Sequence, residues 1–117
     1  MRIHLCAAML ALASLVACAT TLKPERPTPV TGGMRFSVLA PTATSVALVG
    51  SFNGWSPTAH RMASTGSDGL WSLVIPLPQG EHQFMYVING KTWLVPPLAE
   101  DFVTDGFGTK NGIVVVR

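Results

Sequence analysis

The sequence has little charge and no basic run. Only 12% of its 117 residues are charged, and the net charge is +2 at pH 7. Nucleic-acid surfaces need clustered Lys and Arg, so no nucleic-acid partner is expected. A chain of this length holds one small domain at most, with one modest hydrophobic core.

Cysteine is also scarce, since the chain contains two, Cys6 and Cys18. Cys6 lies in an apolar run, Ile3–Val16, that follows Arg2. A positive residue before a short apolar run is typical of a signal peptide, whereas a bilayer span needs about 20 apolar residues. Residues 1–17 are therefore predicted to be a targeting segment that is no part of the fold.

The targeting segment ends in Leu15-Val16-Ala17-Cys18, which resembles a bacterial lipobox. In that motif the cysteine is lipidated and becomes the new N-terminus, which makes residues 1–17 a lipoprotein signal peptide. Each buried CH₂ of an acyl chain contributes roughly 0.8 kcal/mol to membrane binding. Ala19, not Asp, follows the cysteine, and the resemblance then implies the bacterial outer membrane, facing the periplasm. The alternative is an ordinary secretory signal with an unmodified Cys18.

Proline and threonine dominate the stretch after the cysteine, with Pro24, Pro27 and Pro29 close together. Such a composition favours extended, polyproline-like chain and buries no core. Residues 18–33 are therefore predicted to be the lipidated cysteine and a tether. The folded domain is predicted at 34–117, where no thiol remains for a disulfide.

Helical periodicity is absent from residues 34–117, and short segments with strand patterns take its place. These segments are 35–39, 45–49, 60–62, 70–77, 81–88, 92–95 and 113–116. Gly and Pro turns separate them at intervals of about 8 to 12 residues, a spacing that is typical of sandwiches. The prediction is an all-β fold, an immunoglobulin-like antiparallel β-sandwich of about seven strands.

The loop sequence Gly50-Ser51-Phe52-Asn53-Gly54-Trp55 places a large indole after a tight turn. Phe52 can turn into the core, and Asn53-Gly54 can adopt positive φ at little cost. Trp55 then lies on a loop with no obvious core to fill. Because a loop aromatic on a β scaffold is a common binding platform, Trp55 is predicted to bind a ligand. The alternative is a structural plug at the end of the sandwich.

Asn89-Gly90 predicts a hairpin, and the length of its loop decides which face of the sheet Trp93 occupies. A two-residue loop pairs Trp93 with Tyr86, which faces the presumed core. A three-residue loop, Ile88–Gly90, pairs Trp93 with Met85 on the outer face, since one residue of register inverts a strand. The second arrangement is favoured because aromatic residues already fill a small core.

Five segments carry a family resemblance when taken in order. They are Gly50–Trp55, Asp68–Trp71, Leu77–Phe84, Ile88–Lys91 and Gly106–Gly112. The set resembles the glycogen-binding domain of the AMP-activated protein kinase β subunit and the family 48 carbohydrate-binding modules. The latter are early-set sandwich domains that precede isoamylase and branching-enzyme barrels. The resemblance covers 34–117 and implies a non-catalytic module that binds α-1,4-glucan and needs no cofactor.

The resemblance also implies which residues contact sugar. Two tryptophans stack on the sugar rings, and an apolar residue inserts into the glucan. A hydroxyl side chain and an amide side chain form hydrogen bonds with the sugar hydroxyls, and a lysine supplies a further donor. The residues so assigned are Trp55, Trp93, Lys91, Phe107, Thr109 and Asn111. The match is incomplete, because Met85 stands where the family has a lysine and Lys91 would have to reach round from the turn. Trp93 is also one residue later than the family's second tryptophan.

The sequence thus predicts a lipid-anchored, non-catalytic carbohydrate-binding module of the cell envelope. The alternative is a structural or protein-interaction lipoprotein that keeps the sandwich and has lost sugar binding. It would dock an envelope protein through an exposed surface formed by Met85, Val87 and Trp93. No nucleophile with a matching base is visible, so no enzymatic activity is expected. His60 and His82 lack partners at metal-ligand spacing, so no metal is expected either.

Overall fold

The computed structural model describes residues 22–66 and 68–117, so the predicted signal peptide and Cys18 lie outside the described residues. Within the described ranges the strands are β1 (Thr28–Val30), β2 (Gly33–Leu39), β3 (Val46–Gly50), β4 (Ala63–Ser64), β5 (Leu70–Ile75), β6 (Gly80–Ile88), β7 (Thr92–Leu94), β8 (Asp101–Thr104) and β9 (Lys110–Val116). The same ranges contain no helix with the length and apolar character that a membrane crossing requires.

The strands form two antiparallel sheets. One has the order β1-β2-β5-β4, and the other has the order β3-β6-β9-β8, with β7 also paired to β6. The second sheet is called here the five-stranded sheet. Side chains from both sheets meet in one hydrophobic core, which confirms the predicted all-β sandwich. The described residues hold nine strands where about seven were predicted.

The first additional strand lies inside the stretch predicted to be a tether. Thr28 pairs with Arg35 and Val30 with Gly33, so β1 forms a tight hairpin with β2. Pro29 is compatible with this pairing because β1 is an edge strand, where a missing N–H costs no ladder bond. The fold therefore begins before residue 34, since an extended, proline-rich segment can also serve as an edge strand.

The predicted third strand at 60–62 is shorter in the structure. Arg61 forms a single bridge with Ala47, and the Met62 N–H donates to the carbonyl of Val46 at 2.8 Å. The chain then crosses to the other sheet, where β4 pairs with β5. Residues 51–62 thereby form a long connection whose last residues lie beside β3 at the edge of the five-stranded sheet.

The residues buried between the sheets are called here the interior core. They are Met34, Phe36, Val38, Val46, Leu48, Met62, Ile75, Phe84, Tyr86 and Val114. The Phe36 and Phe84 rings meet edge to face with centroids 5.2 Å apart, and Phe84 meets Tyr86 in the same way at 5.7 Å. Trp71, predicted to be a core residue, is half-buried against this core, and its Nε1–H donates to the carbonyl of Ala40 at 3.1 Å.

A second buried group, called here the outer cluster, lies on the opposite face of the five-stranded sheet. Its members are Ala47, Val49, Met85 and Val87, and Trp55 and Val95 pack against it. The docking surface predicted for the protein-interaction alternative is therefore wrong. Met85 is 4% exposed and Val87 is 1% exposed, whereas Trp93 is 46% exposed. The connection after β3 covers the side chains that would have formed that surface.

Candidate functional site

A shallow groove of about 360 Å³ lies on the outer face of the five-stranded sheet. Its lining residues are Trp55, Met85, Trp93, Asp105, Thr109 and Asn111. Four of them belong to the six residues that the sequence assigns to sugar binding. Met85 forms the floor of the groove. Side chains from three separate segments of the chain surround it, namely the loop after β3, the strand β7 and the segment around the loop between β8 and β9.

The loop after β3 holds the first wall of the groove, and Asn53 fixes its shape. The Asn53 Oδ1 accepts from the N–H of Gly50 at 3.0 Å, and its Nδ2 donates to the carbonyl of Leu48 at 3.0 Å. That Nδ2 also lies 2.8 Å from Nδ1 of His60. One side chain therefore joins the start of the loop to its end.

The positive φ angles of this loop fall on Gly54 and Trp55, at 67° and 60°. Gly54 thus adopts the conformation that was predicted for it, whereas Asn53 does not and Trp55 takes its place. A left-handed conformation costs a non-glycine residue roughly 1–2 kcal/mol. The Trp55 N–H donates to the carbonyl of Gly50 at 3.0 Å, which helps to hold that conformation. Strain of this kind is concentrated at functional sites, where the fold over-determines the geometry.

Phe52 anchors the same loop in the interior, as the sequence predicts. Its ring packs against Phe36 with centroids 6.3 Å apart. His60 and His82 flank it edge-on at 6.1 Å and 6.2 Å. Both histidines are half-buried and serve as ring partners of Phe52. With Phe52 inside and Trp55 on the outer cluster, the loop is fixed on both sides of the sheet.

Trp93 forms a second wall and lies on the outer face of the sheet. Its partner on β6 is Val87, so both pairings considered from the sequence, with Tyr86 and with Met85, are wrong. The favoured face is nevertheless right, because Val87 and Met85 are two residues apart and project from the same side of β6.

A bulge next to the hairpin turn explains this register. Asn89 and Gly90 have φ of 54° and 70°, as in a type I′ turn. The Lys91 N–H donates to the carbonyl of Ile88 at 3.0 Å, yet the ladder partner of Ile88 is Thr92. Lys91 is thus an extra residue opposite Ile88, the pattern of a β-bulge. It is exposed in the turn and does not line the groove.

The loop between β8 and β9 forms the third wall, and the Asp105 carboxylate holds it together. Asp105 Oδ1 accepts from the N–H groups of Phe107 at 2.7 Å and Thr109 at 3.2 Å. The Asp105 N–H donates to the carbonyl of Thr109 at 2.9 Å. Phe107 stands at the tip, 92% exposed, and is not among the residues that line the groove.

Three residues near the groove were missed by the sequence prediction of the site. Met85 forms the floor, Asp105 braces the last loop, and Gln83 accepts a hydrogen bond from Asn111 Nδ2 at 3.0 Å. The alternation of β6 places Gln83 on the same face as Met85. An Asp two residues before an exposed aromatic in a glycine-rich loop is a common local acceptor for backbone N–H groups. Both patterns could have identified these residues.

The groove combines surfaces that suit a sugar. An indole ring can stack on the apolar C–H face of a pyranose, while hydroxyl and amide groups supply directed hydrogen bonds to its hydroxyls. Among residues 22–66 and 68–117, no group of three or more His, Cys, Asp or Glu side chains is placed to hold a metal ion.

Comparison with known proteins gives the family. The family model for carbohydrate-binding module 48 (isoamylase N-terminal domain) matches residues 22–106. The chain belongs to this family. The match begins at residue 22, so carbohydrate-binding module 48 includes β1 and the segment before it, in agreement with the structure. The family resemblance predicted from the five sequence segments is confirmed.

The module is similar to parts of several enzymes named 1,4-alpha-glucan branching enzyme GlgB. The enzyme of Corynebacterium jeikeium is 42% identical over 52% of this chain and 9% of its own length. That of Mycobacterium ulcerans is 36% identical over 69% of this chain and 11% of its own. That of Pseudomonas aeruginosa is 41% identical over 58% of this chain and 9% of its own length. The alignments therefore cover about a tenth of each relative.

Proposed function

We propose that this module binds α-1,4-glucan or a closely related polysaccharide at the bacterial cell envelope, without catalysing a reaction of its own. The observation that carries the proposal is the convergence of Trp55 and Trp93 on one groove with Thr109 and Asn111. Two indoles supply stacking surfaces, and the hydroxyl and amide supply hydrogen bonds that orient the sugar.

The ligand class is supported by the chemistry of the groove and by the relatives. A shallow groove leaves one side of a bound chain in water, which suits one turn of a long polymer better than a small, fully enclosed ligand. The relatives carry 1,4-alpha-glucan in their names, and they share this module. Binding by such a shallow site is expected to be weak for one contact, because only part of each sugar is desolvated.

The envelope location is supported by the sequence before the fold. Residues 1–17 have the pattern of a lipoprotein signal peptide, and Cys18 stands at the lipidation position. The chain enters the domain through β1, which belongs to the sheet opposite the groove. A lipid anchor at Cys18 therefore leaves the groove accessible to a polymer.

The glucan proposal is tested by native affinity electrophoresis of residues 19–117 in gels with and without glycogen. The unmodified protein should be retarded, whereas Trp55→Ala and Trp93→Ala should migrate almost as they do without glycogen. Leu98→Ala is the matched control, since Leu98 is an apolar residue 48% exposed that does not line the groove. Unretarded migration of the folded wild-type protein would exclude the α-glucan ligand, and envelope proteins would then be tested as partners.

The anchor is tested separately in the full chain. Wild-type protein should incorporate labelled palmitate and sediment with membranes, and Cys18→Ser should do neither. Equal membrane association of both forms, without label, would refute the lipid anchor and leave the glucan proposal untouched.

A further inference from the structure

The groove holds a single charged side chain among the described residues that line it, and that side chain is the acid Asp105. We propose that this carboxylate makes the groove selective for neutral or ammonium-bearing glucans and unfavourable for acidic ones. The inference rests on the proposed glucan function and adds to it the charge class of the ligand.

The carboxylate is held in place by the loop that it braces. Asp105 Oδ1 accepts the N–H groups of Phe107 and Thr109 at 2.7 Å and 3.2 Å, so the side chain cannot swing away without breaking both bonds. Its charge therefore stays at the edge of the groove, next to the side chains that are proposed to bond sugar hydroxyls.

No cation among the described residues faces this carboxylate within the groove. The floor is Met85, at the position where the family resemblance implies a lysine. Lys110 is close in sequence, but its ammonium lies over the Phe102 ring, 5.6 Å from the centroid. Lys110 and Asn111 are neighbours on β9 and so project from opposite faces of the sheet.

The other nearby cations also lie outside the groove. Lys91 is exposed in the hairpin turn. Arg61 lines a separate cavity of about 180 Å³, over Ala47 and Val87. Among the described residues that line the groove, an acidic substituent would thus meet Asp105 and no cation.

The two indoles act in the same direction as Asp105. The face of an aromatic ring carries a negative quadrupole potential, which attracts cations and disfavours anions. A carboxylate beside Trp55 and Trp93 thus gives the whole groove one electrostatic sign. Since the groove is open to water, we expect a discrimination of about three- to tenfold at low salt, from Coulomb interaction at about 6 Å in a largely aqueous dielectric. It should shrink as the Debye length falls from about 30 Å at 0.01 M to about 3 Å at 1 M salt.

The experiment uses amylose in four forms: unmodified, hydroxyethylated, carboxymethylated and quaternary-ammonium-substituted. Hydroxyethyl amylose is the steric control, because it adds a substituent of similar size without charge. Binding of the wild-type protein is measured at low and high salt. We expect the carboxymethyl form to bind three- to tenfold more weakly than the hydroxyethyl form, and the ammonium form to bind at least as tightly.

Two variants assign the effect to one residue. Asp105→Asn keeps an oxygen acceptor for the loop and removes the charge, so the ratio of its affinities for the hydroxyethyl and carboxymethyl forms should fall close to one, whatever its affinity for unmodified amylose. Asp68→Asn is the matched control, because it makes the same chemical change in a turn at the start of β5, in the sheet that does not carry the groove.

The outcomes separate this inference from the proposed function. Equal wild-type binding of carboxymethyl and hydroxyethyl amylose would refute the charge selectivity while leaving glucan binding established. Uniform weakening of Asp105→Asn toward all four forms would also refute it, and would make Asp105 a loop-positioning residue only. Failure of wild type to bind unmodified amylose would instead refute the proposed function, and the inference with it.

Discussion

The interior core and the outer cluster lie on the two faces of the same sheet and differ in what covers them. The interior core is closed by a second sheet, and it contains the fully buried rings of Phe36, Phe84 and Tyr86. Among the described residues no second sheet covers the outer cluster; Trp55, on the loop after β3, and Val95, which follows β7, pack against it. The first arrangement stabilises the fold, and the second provides a firm base for the groove.

Two strands, β3 and β6, contribute to both regions. Phe84 and Tyr86 of β6 project into the interior core, while Met85 and Val87 project into the outer cluster. The site floor lies on a strand with three partners, since β6 pairs with β3 over residues 84–88, with β9 over 80–84 and with β7 over 86–88. The comparison implies that substitutions in the two regions have different consequences, and three predictions test this.

The largest effect on stability is expected in the interior core. Phe36→Ala removes a ring that is 0% exposed, which should lower the free energy of unfolding by about 3–5 kcal/mol. Phe107→Ala removes the same ring at 92% exposure and should change it by about 0.5 kcal/mol or less. Denaturant unfolding of both variants measures the difference. Equal losses would show that the interior core does not dominate the stability.

An intermediate effect is expected in the loop after β3, which carries Trp55 onto the outer cluster. Asn53→Ala removes the bonds to Gly50 and Leu48 and should cost about 1–3 kcal/mol. Because those bonds shape the Trp55 loop, glycogen retardation should be lost as well, in a protein that is still folded. Asn53→Asp keeps the acceptor for Gly50 and should retain part of both properties. Full retardation of Asn53→Ala would show that the loop is positioned by its packing alone.

The smallest effect concerns a single proton in the interior core. Burial raises the pKa of the Tyr86 phenol above its ordinary 10.0, so the folded state keeps the group neutral where the unfolded chain would ionise it. The stability that this contributes is complete below pH 10 and is lost as the pH rises towards the folded value, at up to about 1.4 kcal/mol per pH unit. Tyr86→Phe cannot ionise, so the free energies of unfolding of variant and wild type should diverge above pH 10. Parallel pH profiles would contradict this account.

The sequence predicts the sandwich and most of the groove residues, because alternation and turn residues are local properties. The prediction fails where a difference of one residue in loop length decides the register of two paired strands. The Asn89-Gly90 turn is evident from the sequence, but the bulge at Lys91 depends on how Thr92 and Trp93 pack against β6. No local pattern distinguishes a clean hairpin from a bulged one.

Burial on the outer face was also beyond local patterns. The alternation of β6 correctly predicts that Met85 and Val87 project away from the interior core. In a simple two-layer sandwich, residues on that face would be exposed to water. They are buried because the connection after β3 brings Trp55 over them. The sequence of that connection predicts the turn at Trp55, but it does not predict which face of the sheet Trp55 packs against. Similarly, the proline content before residue 34 indicates extended chain and does not reveal that Thr28–Val30 pairs with β2.

The short hairpin of β1 with β2 has a mechanical consequence. A pull on the chain ahead of residue 22 would first break the hydrogen bonds between Glu25 and Ser37. It would then open the Thr28–Arg35 pair and, last, the Val30–Gly33 pair. Peeling one pair at a time requires little force compared with shearing a whole sheet. The released stretch, residues 22–33, can extend by up to about 40 Å. The hairpin would thus act as a weak link that lengthens under tension, while the sheet carrying the groove stays intact.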